Sequence, residues 1–103
     1  MPDFDGKVIL VTGSATGLGA AIAVGAAKRG AKAVILNYTK SRKEAEATAD
    51  AVRAAGAAVE MAQGDVAEDA DCRKIAAVVT RYGRLDALAN NAGITKQAQN
   101  HAD

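Results

Sequence analysis

The chain has one cysteine, one histidine, no excess of charge of either sign and no apolar run long enough to cross a bilayer. Each shortage removes a class of function. With Cys72 the only cysteine among 103 residues, an internal disulfide is impossible, and the composition fits a reducing compartment, so a cytoplasmic location is expected. A total of 13 Lys and Arg against 12 Asp and Glu leaves no basic footprint for nucleic acid or an anionic membrane. The longest apolar stretch, 20–27, is far short of a membrane span. The opening Met1-Pro2-Asp3-Phe4-Asp5-Gly6 lacks the charged and apolar regions of a signal peptide. His101 stands in a polar tail without metal-ligating companions, and no metal site is assigned. No repeat, linker or low-complexity segment divides the chain, which reads as one structural unit.

What is present begins with Thr12-Gly13-Ser14-Ala15-Thr16-Gly17-Leu18-Gly19, directly behind the apolar run Val8-Ile9-Leu10-Val11. A strand that enters a glycine-rich turn and then a helix can hold a pyrophosphate on backbone N–H groups. Gly13 lets the chain leave the strand sharply, because it tolerates φ values closed to residues with a Cβ. Gly17 leaves room for a phosphate, and Gly19 allows the helix to pack closely on the strand. Ser14 and Thr16 add hydroxyl donors. The helix expected over 17–29 aims its free N–H groups and positive dipole end at the anion.

Downstream, short apolar runs alternate with helical stretches. Ala33-Val34-Ile35-Leu36 suits a strand buried on both faces. A helix follows over 41–55, with Ser41 and Glu44 spaced as a capping box and Gly56 placed as a C-cap. A third strand is expected over 59–62. A third helix over 69–81 carries Ile75, Val78 and Val79 on one face and stops at Gly83, and a fourth strand is expected over 85–89. The series β-α-β-α-β-α-β implies an α/β fold with a doubly wound, Rossmann-like parallel sheet and right-handed crossovers. Cys72 reads as a small packing residue on the third helix. Lys28, Arg29 and Lys32 gather where cations favour the end of the first helix.

Three motifs in register, Thr12-Gly13-x-x-x-Gly17-x-Gly19, Asp65-Val66 and Asn90-Asn91-Ala92-Gly93, resemble those of the classical short-chain dehydrogenase/reductases over 7–93. That resemblance implies an oxidoreductase using NAD or NADP. It assigns Gly13, Gly17, Leu18 and Gly19 to the pyrophosphate, Asp65 to the adenine amino group and the Val66 N–H to the ring. Asn90, Ala92 and Gly93 would run along the cofactor ribose. The plainer reading of Asp65 is a turn or cap residue.

Cofactor choice depends on the end of the second strand, where an acid about 20 residues past the glycine turn would bond the 2′-OH of NAD. Asn37-Tyr38-Thr39 stands there instead. Ser41 and Arg42, next to Lys40 and a helix start, offer a 2′-phosphate a hydroxyl, cations and free N–H groups. Tyr38, Ser41 and Arg42 therefore join the expected cofactor site. The arrangement resembles NADP-preferring ketoreductases, with NAD as the other possibility.

By the same resemblance, catalysis would use a serine and a Tyr-x-x-x-Lys pair acting on a carbonyl or alcohol substrate. Tyr38 is followed at that spacing by Arg42 and Tyr82 by Asp86, so no catalytic residue is assigned. The expectation is the N-terminal, dinucleotide-binding part of one Rossmann domain, not competent for catalysis alone and homo-oligomeric when full length. The fourth strand would then be an exposed apolar edge. The other reading is a non-catalytic nucleotide-binding or interaction module of the same fold. A methyltransferase predicts an acid closing the second strand, which Asn37-Tyr38 does not supply. A P-loop is excluded because no Lys-Ser/Thr pair follows the second glycine.

Overall fold

The computed structural model describes residues 4–14 and 17–90. The elements run β1 (Val8–Thr12), α1 (Gly17–Lys28), β2 (Ala33–Tyr38), α2 (Arg42–Ala54), β3 (Ala58–Gln63), α3 (Asp69–Tyr82) and β4 (Ala87–Asn90). All four strands are parallel, in the order β3-β2-β1-β4. The expected doubly wound α/β architecture is therefore present.

Alternation along the strands explains why their sequences are continuously apolar. Ile9, Val11, Val34 and Leu36 point to one face and pack with Ala23, Ala26 and Ala27 of α1 and Ala49 and Val52 of α2. Val8, Leu10, Ala33 and Ile35 point to the other and pack with Ile75 of α3, flanked by Val78, Val79 and Tyr82. Successive side chains alternate across a strand, so a sheet covered on both sides needs apolar residues at every position. The expected face of α3 is the one that meets the sheet.

Helix ends follow local chemistry. At the end of α2, Gly56 N donates to Arg53 O and Ala57 N to Val52 O, the two bonds of a Schellman motif with glycine in the C′ position. The start of α2 differs from expectation. Ser41 is the N-cap, but it has ψ 60 and makes no side-chain cap hydrogen bond. Arg42 N donates to Lys40 O instead. The capping box needs an extended N-cap residue to aim its hydroxyl at the helix, and Ser41 is not extended, so Ser41 and Glu44 do not form one.

Strand boundaries also shift, two of them by more than one residue. β2 extends through Asn37 and Tyr38, and β4 starts at Ala87, leaving Leu85 outside. The cause of the second shift is Asp86. Its Oδ2 accepts from Val8 N at 2.8 Å and its own N donates to Val8 O at 2.9 Å, so a carboxylate takes the place of the first ladder acceptor. Backbone register then begins at Ile9↔Ala87. With β4 outermost, Leu88 is 56% exposed, which makes this margin the expected apolar edge among the described residues.

The Arg84 guanidinium, 2.7 Å from Asp86 Oδ1, and then the Val8 N–H hold the Asp86 carboxyl below its ordinary value of 3.8. A carboxyl depressed by folding stabilises the fold fully above its unfolded value, and that contribution fades as pH falls through the folded value. Asp86→Asn should therefore lower Tm at neutral pH, and the gap from the unaltered protein should close as pH drops below 3.8. Thermal melts followed by circular dichroism across the acid range check this. A gap of constant size would remove the carboxylate from the account.

Candidate functional site

The carboxyl end of β1 is where the sheet changes direction. The chain leaves β1 towards β2 on one side, while β4 returns on the other. The register sets Thr12 opposite Asn90, and Thr12 Oγ1 donates to Ala89 O at 3.3 Å. A crevice opens outside strand ends at such a reversal.

The glycine turn lies over this point. Gly13 has φ 61 and Gly17 φ 60, a left-handed conformation that costs other residues about 1–2 kcal/mol. A Cβ built on Gly17 would meet no atom within 4 Å, so space for an approaching group lies beside the backbone. Helix α1 starts here, and its first N–H groups have no partner within the helix. Gly19 is buried. Leu18 is 60% exposed, its apolar side chain held beside the helix start. Thr16 lies outside the described residues.

Behind the turn sits a polar group that sequence reading placed at the strand end only for what it lacked, a carboxylate. Asn37 is 1% exposed. Its Nδ2 donates to Ala62 O at 3.1 Å and Gly64 O at 3.0 Å, and its Oδ1 accepts from Gly13 N at 3.3 Å. The Asn37 carbonyl accepts from both Ser14 N and Ser14 Oγ at 2.9 Å. Ser14, fully buried, therefore spends its one hydroxyl hydrogen inside the protein. A serine has a single O–H to give, and in this structure Asn37 receives it.

The exit from β3 forms a second turn beside the first. Gly64 N donates to Tyr38 O. Asp65 N donates to Asp71 Oδ2 at 2.9 Å, and Asp65 Oδ1 accepts from Ala67 N at 2.8 Å. Asp65 thus fills the turn-forming role that was the plainer reading. A carboxylate offers about four lone-pair sites, so this role leaves acceptor capacity for a ligand. Val66 is half-buried and its carbonyl accepts from Cys72 Sγ at 3.0 Å. Cys72 is exposed, which corrects its reading as a packing residue. The α3 face that meets the sheet is centred on Ile75, and Cys72 lies off it.

At the exit from β2, Tyr38 is buried to 4%, so its ring serves packing in this structure. Ser41 and Arg42 are exposed at the start of α2. Arg42 Nε lies 3.0 Å from Glu46 Oε1, one turn further along the helix. That hydrogen bond strengthens the hold of Arg42 on its proton. The guanidinium faces a partner that an exposed pair binds only weakly, so its charge is available for exchange. Asn90 ends β4 beside Thr12. Ala92 and Gly93, with Asn91, lie outside the described residues, as does His101.

Asp71 had no signal in the sequence as a member of this region. Its role follows from the close passage of Gly64, where an added Cβ would come within 3.0 Å of Asp71 Cβ. Asp71 sits in the first turn of α3 and cannot swing away without moving the helix. Gly64→Ala should therefore cost about 1–3 kcal/mol by overpacking. Its urea midpoint should fall accordingly, and an unchanged midpoint would show that the two turns give way freely.

Known proteins with this arrangement bear on what it is. The family model described as short chain dehydrogenase matches residues 7–103. Versicolorin reductase 1 of Aspergillus parasiticus is 45% identical over 91 residues, covering 87% of this chain and 34% of its own length. The short-chain dehydrogenase/reductase homolog YusS of Bacillus subtilis is 43% identical over 91 residues, 87% of this chain and 83% of its own. A Burkholderia cenocepacia protein solved with bound NADP superposes with a TM-score of 0.80 at 39% identity, over 87% of this chain and 35% of that one. The chain thus spans about a third of the length of the versicolorin reductase. With its turn, its strand order and its match over 7–103 in agreement, the chain belongs to the short-chain dehydrogenase family.

Proposed function

We propose that this chain is the dinucleotide-binding part of an oxidoreductase that moves hydride between a nicotinamide cofactor and a carbonyl or alcohol substrate, with NADP as the preferred cofactor. The observation that carries the reading is the pairing of Thr12 with Asn90 at the reversal of strand order, beneath a helix start whose Gly17 has open space where a side chain would stand. That space fits a phosphate group, which needs close approach to backbone N–H donors.

In this reading the backbone at Gly13, Gly17, Leu18 and Gly19 holds the pyrophosphate. Asp65 and the Val66 N–H hold the adenine, and Asn90, with Ala92 and Gly93, lies along the ribose. Leu18, exposed at the helix start, covers one flank with apolar surface and keeps water from that side. Arg42 would exchange Glu46 for the 2′-phosphate, with Ser41 beside it. The bound nicotinamide supplies the hydride acceptor or donor. The chain's own contribution is to fix its position, and no proton-transfer residue is assigned to it. A small carbonyl or alcohol substrate and homo-oligomeric assembly belong to this reading of the whole protein.

The relatives support it in their own terms: one is named a reductase, and one was solved with NADP bound. Among the described residues no helix is long and apolar enough to cross a membrane.

Two substitutions separate the parts of the site. A charge-assisted phosphate contact is worth about 1.5–3 kcal/mol, so Arg42→Ala should weaken NADPH binding by roughly tenfold or more and leave NADH nearly unchanged. Gly17→Val fills the open space and should weaken both cofactors alike. Calorimetric titration of each variant with NADPH and NADH checks both. Equal losses for the two cofactors in Arg42→Ala would assign the 2′-phosphate elsewhere, and full binding by Gly17→Val would remove the turn from the site.

A further inference from the structure

We infer that Asn37 is a positioning residue whose side-chain amide fixes the distance between the glycine turn after β1 and the turn after β3, and so matches two separate contact surfaces to one extended ligand. The inference rests on the dinucleotide reading above, which assigns the pyrophosphate to the first turn and the adenine to the second.

The two turns have no direct ladder between them, because β2 lies between β1 and β3. The β1–β2 register ends at Val11↔Leu36, whereas β2–β3 pairing continues to Tyr38↔Gln63. Beyond Leu36 the backbone of β2 no longer pairs with β1 in the ladder. Asn37 reaches across at that point. One amide bonds Gly13 N on one side and the carbonyls of Ala62 and Gly64 on the other, and its own carbonyl takes Ser14 twice.

All the amide's hydrogens and its oxygen are used, at a position 1% exposed in a strand otherwise apolar up to that point. A leucine there would bury more apolar surface and need no partners. An amide is tolerable only because its geometry is matched, since an unpaired buried polar group is strongly destabilising. The groups it matches belong to two different loops, each carrying part of the proposed cofactor contact. A ligand that spans two surfaces gains from both only when their separation suits its length. Asn37 sets that separation without touching the ligand.

The test compares a spanning probe with a one-sided probe. Dissociation constants for NADPH and for 2′-phosphoadenosine, which lacks the pyrophosphate, are measured by calorimetry on the unaltered chain and on Asn37→Leu. NADPH affinity should fall about tenfold or more while that for 2′-phosphoadenosine changes by less than about threefold, because a loosened turn still adapts to a fragment. Equal losses for the two probes, or no loss, would mean that Asn37 only supports the fold and would overturn the inference.

Should Asn37→Leu fail to fold, the unaltered chain decides. Inorganic pyrophosphate added alone to 15N-labelled protein should shift the amide signals of Gly64, Asp65 and Val66 together with that of Gly13, and silence at 64–66 overturns the inference. Absence of NADPH binding by the unaltered chain overturns the cofactor reading and this inference with it. Binding with equal probe losses overturns this inference alone.

Discussion

β1 hydrogen-bonds to β2 along one edge and to β4 along the other, and its five residues are buried throughout. Ile9 and Val11 anchor the core beneath α1 and α2, and Val8 and Leu10 anchor the core beneath α3. Both hydrophobic layers therefore close on the same short strand, and neither can form without it. The chain's departure from β1 to one side and its return as β4 on the other also place the reversal of strand order at these strand ends. Stability and site geometry thus share one origin.

The polar groups of the described residues are distributed unevenly about that strand. Thr12, Ser14 and Asn37, three of the four buried polar residues, lie at the carboxyl end of the sheet. Among the described residues no buried side-chain nitrogen or oxygen lacks a hydrogen-bond partner. A fully paired network in a low-dielectric setting is stiff, because any displacement leaves a donor or acceptor unmet. The carboxyl end is therefore organised as a network of its own, whereas the opposite end is closed by backbone bonds such as Lys32 N to Lys7 O and by the Asp86 carboxylate on Val8 N.

Much of this was legible in the residue order, because the physics involved is local or periodic. Apolar runs of four gave β1 and β2, the spacing of Ile75, Val78 and Val79 gave the inner face of α3, and Gly56 and Gly83 gave two helix ends. The departures have a common cause in side chains whose partners are distant in sequence. The expected second strand stopped at Leu36 because an amide is a poor strand residue, but the carbonyls of Ala62 and Gly64 satisfy Asn37 and the strand runs on to Tyr38. Asp86 shortened β4 by bonding Val8, far away in the chain. Ser14 turned inward for the same reason, and Ser41 lost its capping role to a backbone angle that no residue type dictates. In the site, the glycine turn and Asp65 were readable from motifs, while Asn37 and Asp71 emerged only from contacts between strand exits.

Helix α1 buries Gly19, Ala23, Ala26 and Ala27, the three alanines in the core over the sheet. None of these four residues has a rotatable χ1 that moves a heavy atom, so the helix side of the contact cannot repack at these positions by changing rotamer. Methyl groups and bare backbone form the fixed wall of the gap between helix and strands, as a shim would. The elevation at which the helix presents its opening N–H groups is consequently adjusted only from the sheet side at these positions, by Ile9, Val11 and Leu36. A mutation elsewhere in the core can tilt or loosen the sheet, but it cannot retune that elevation through these four positions.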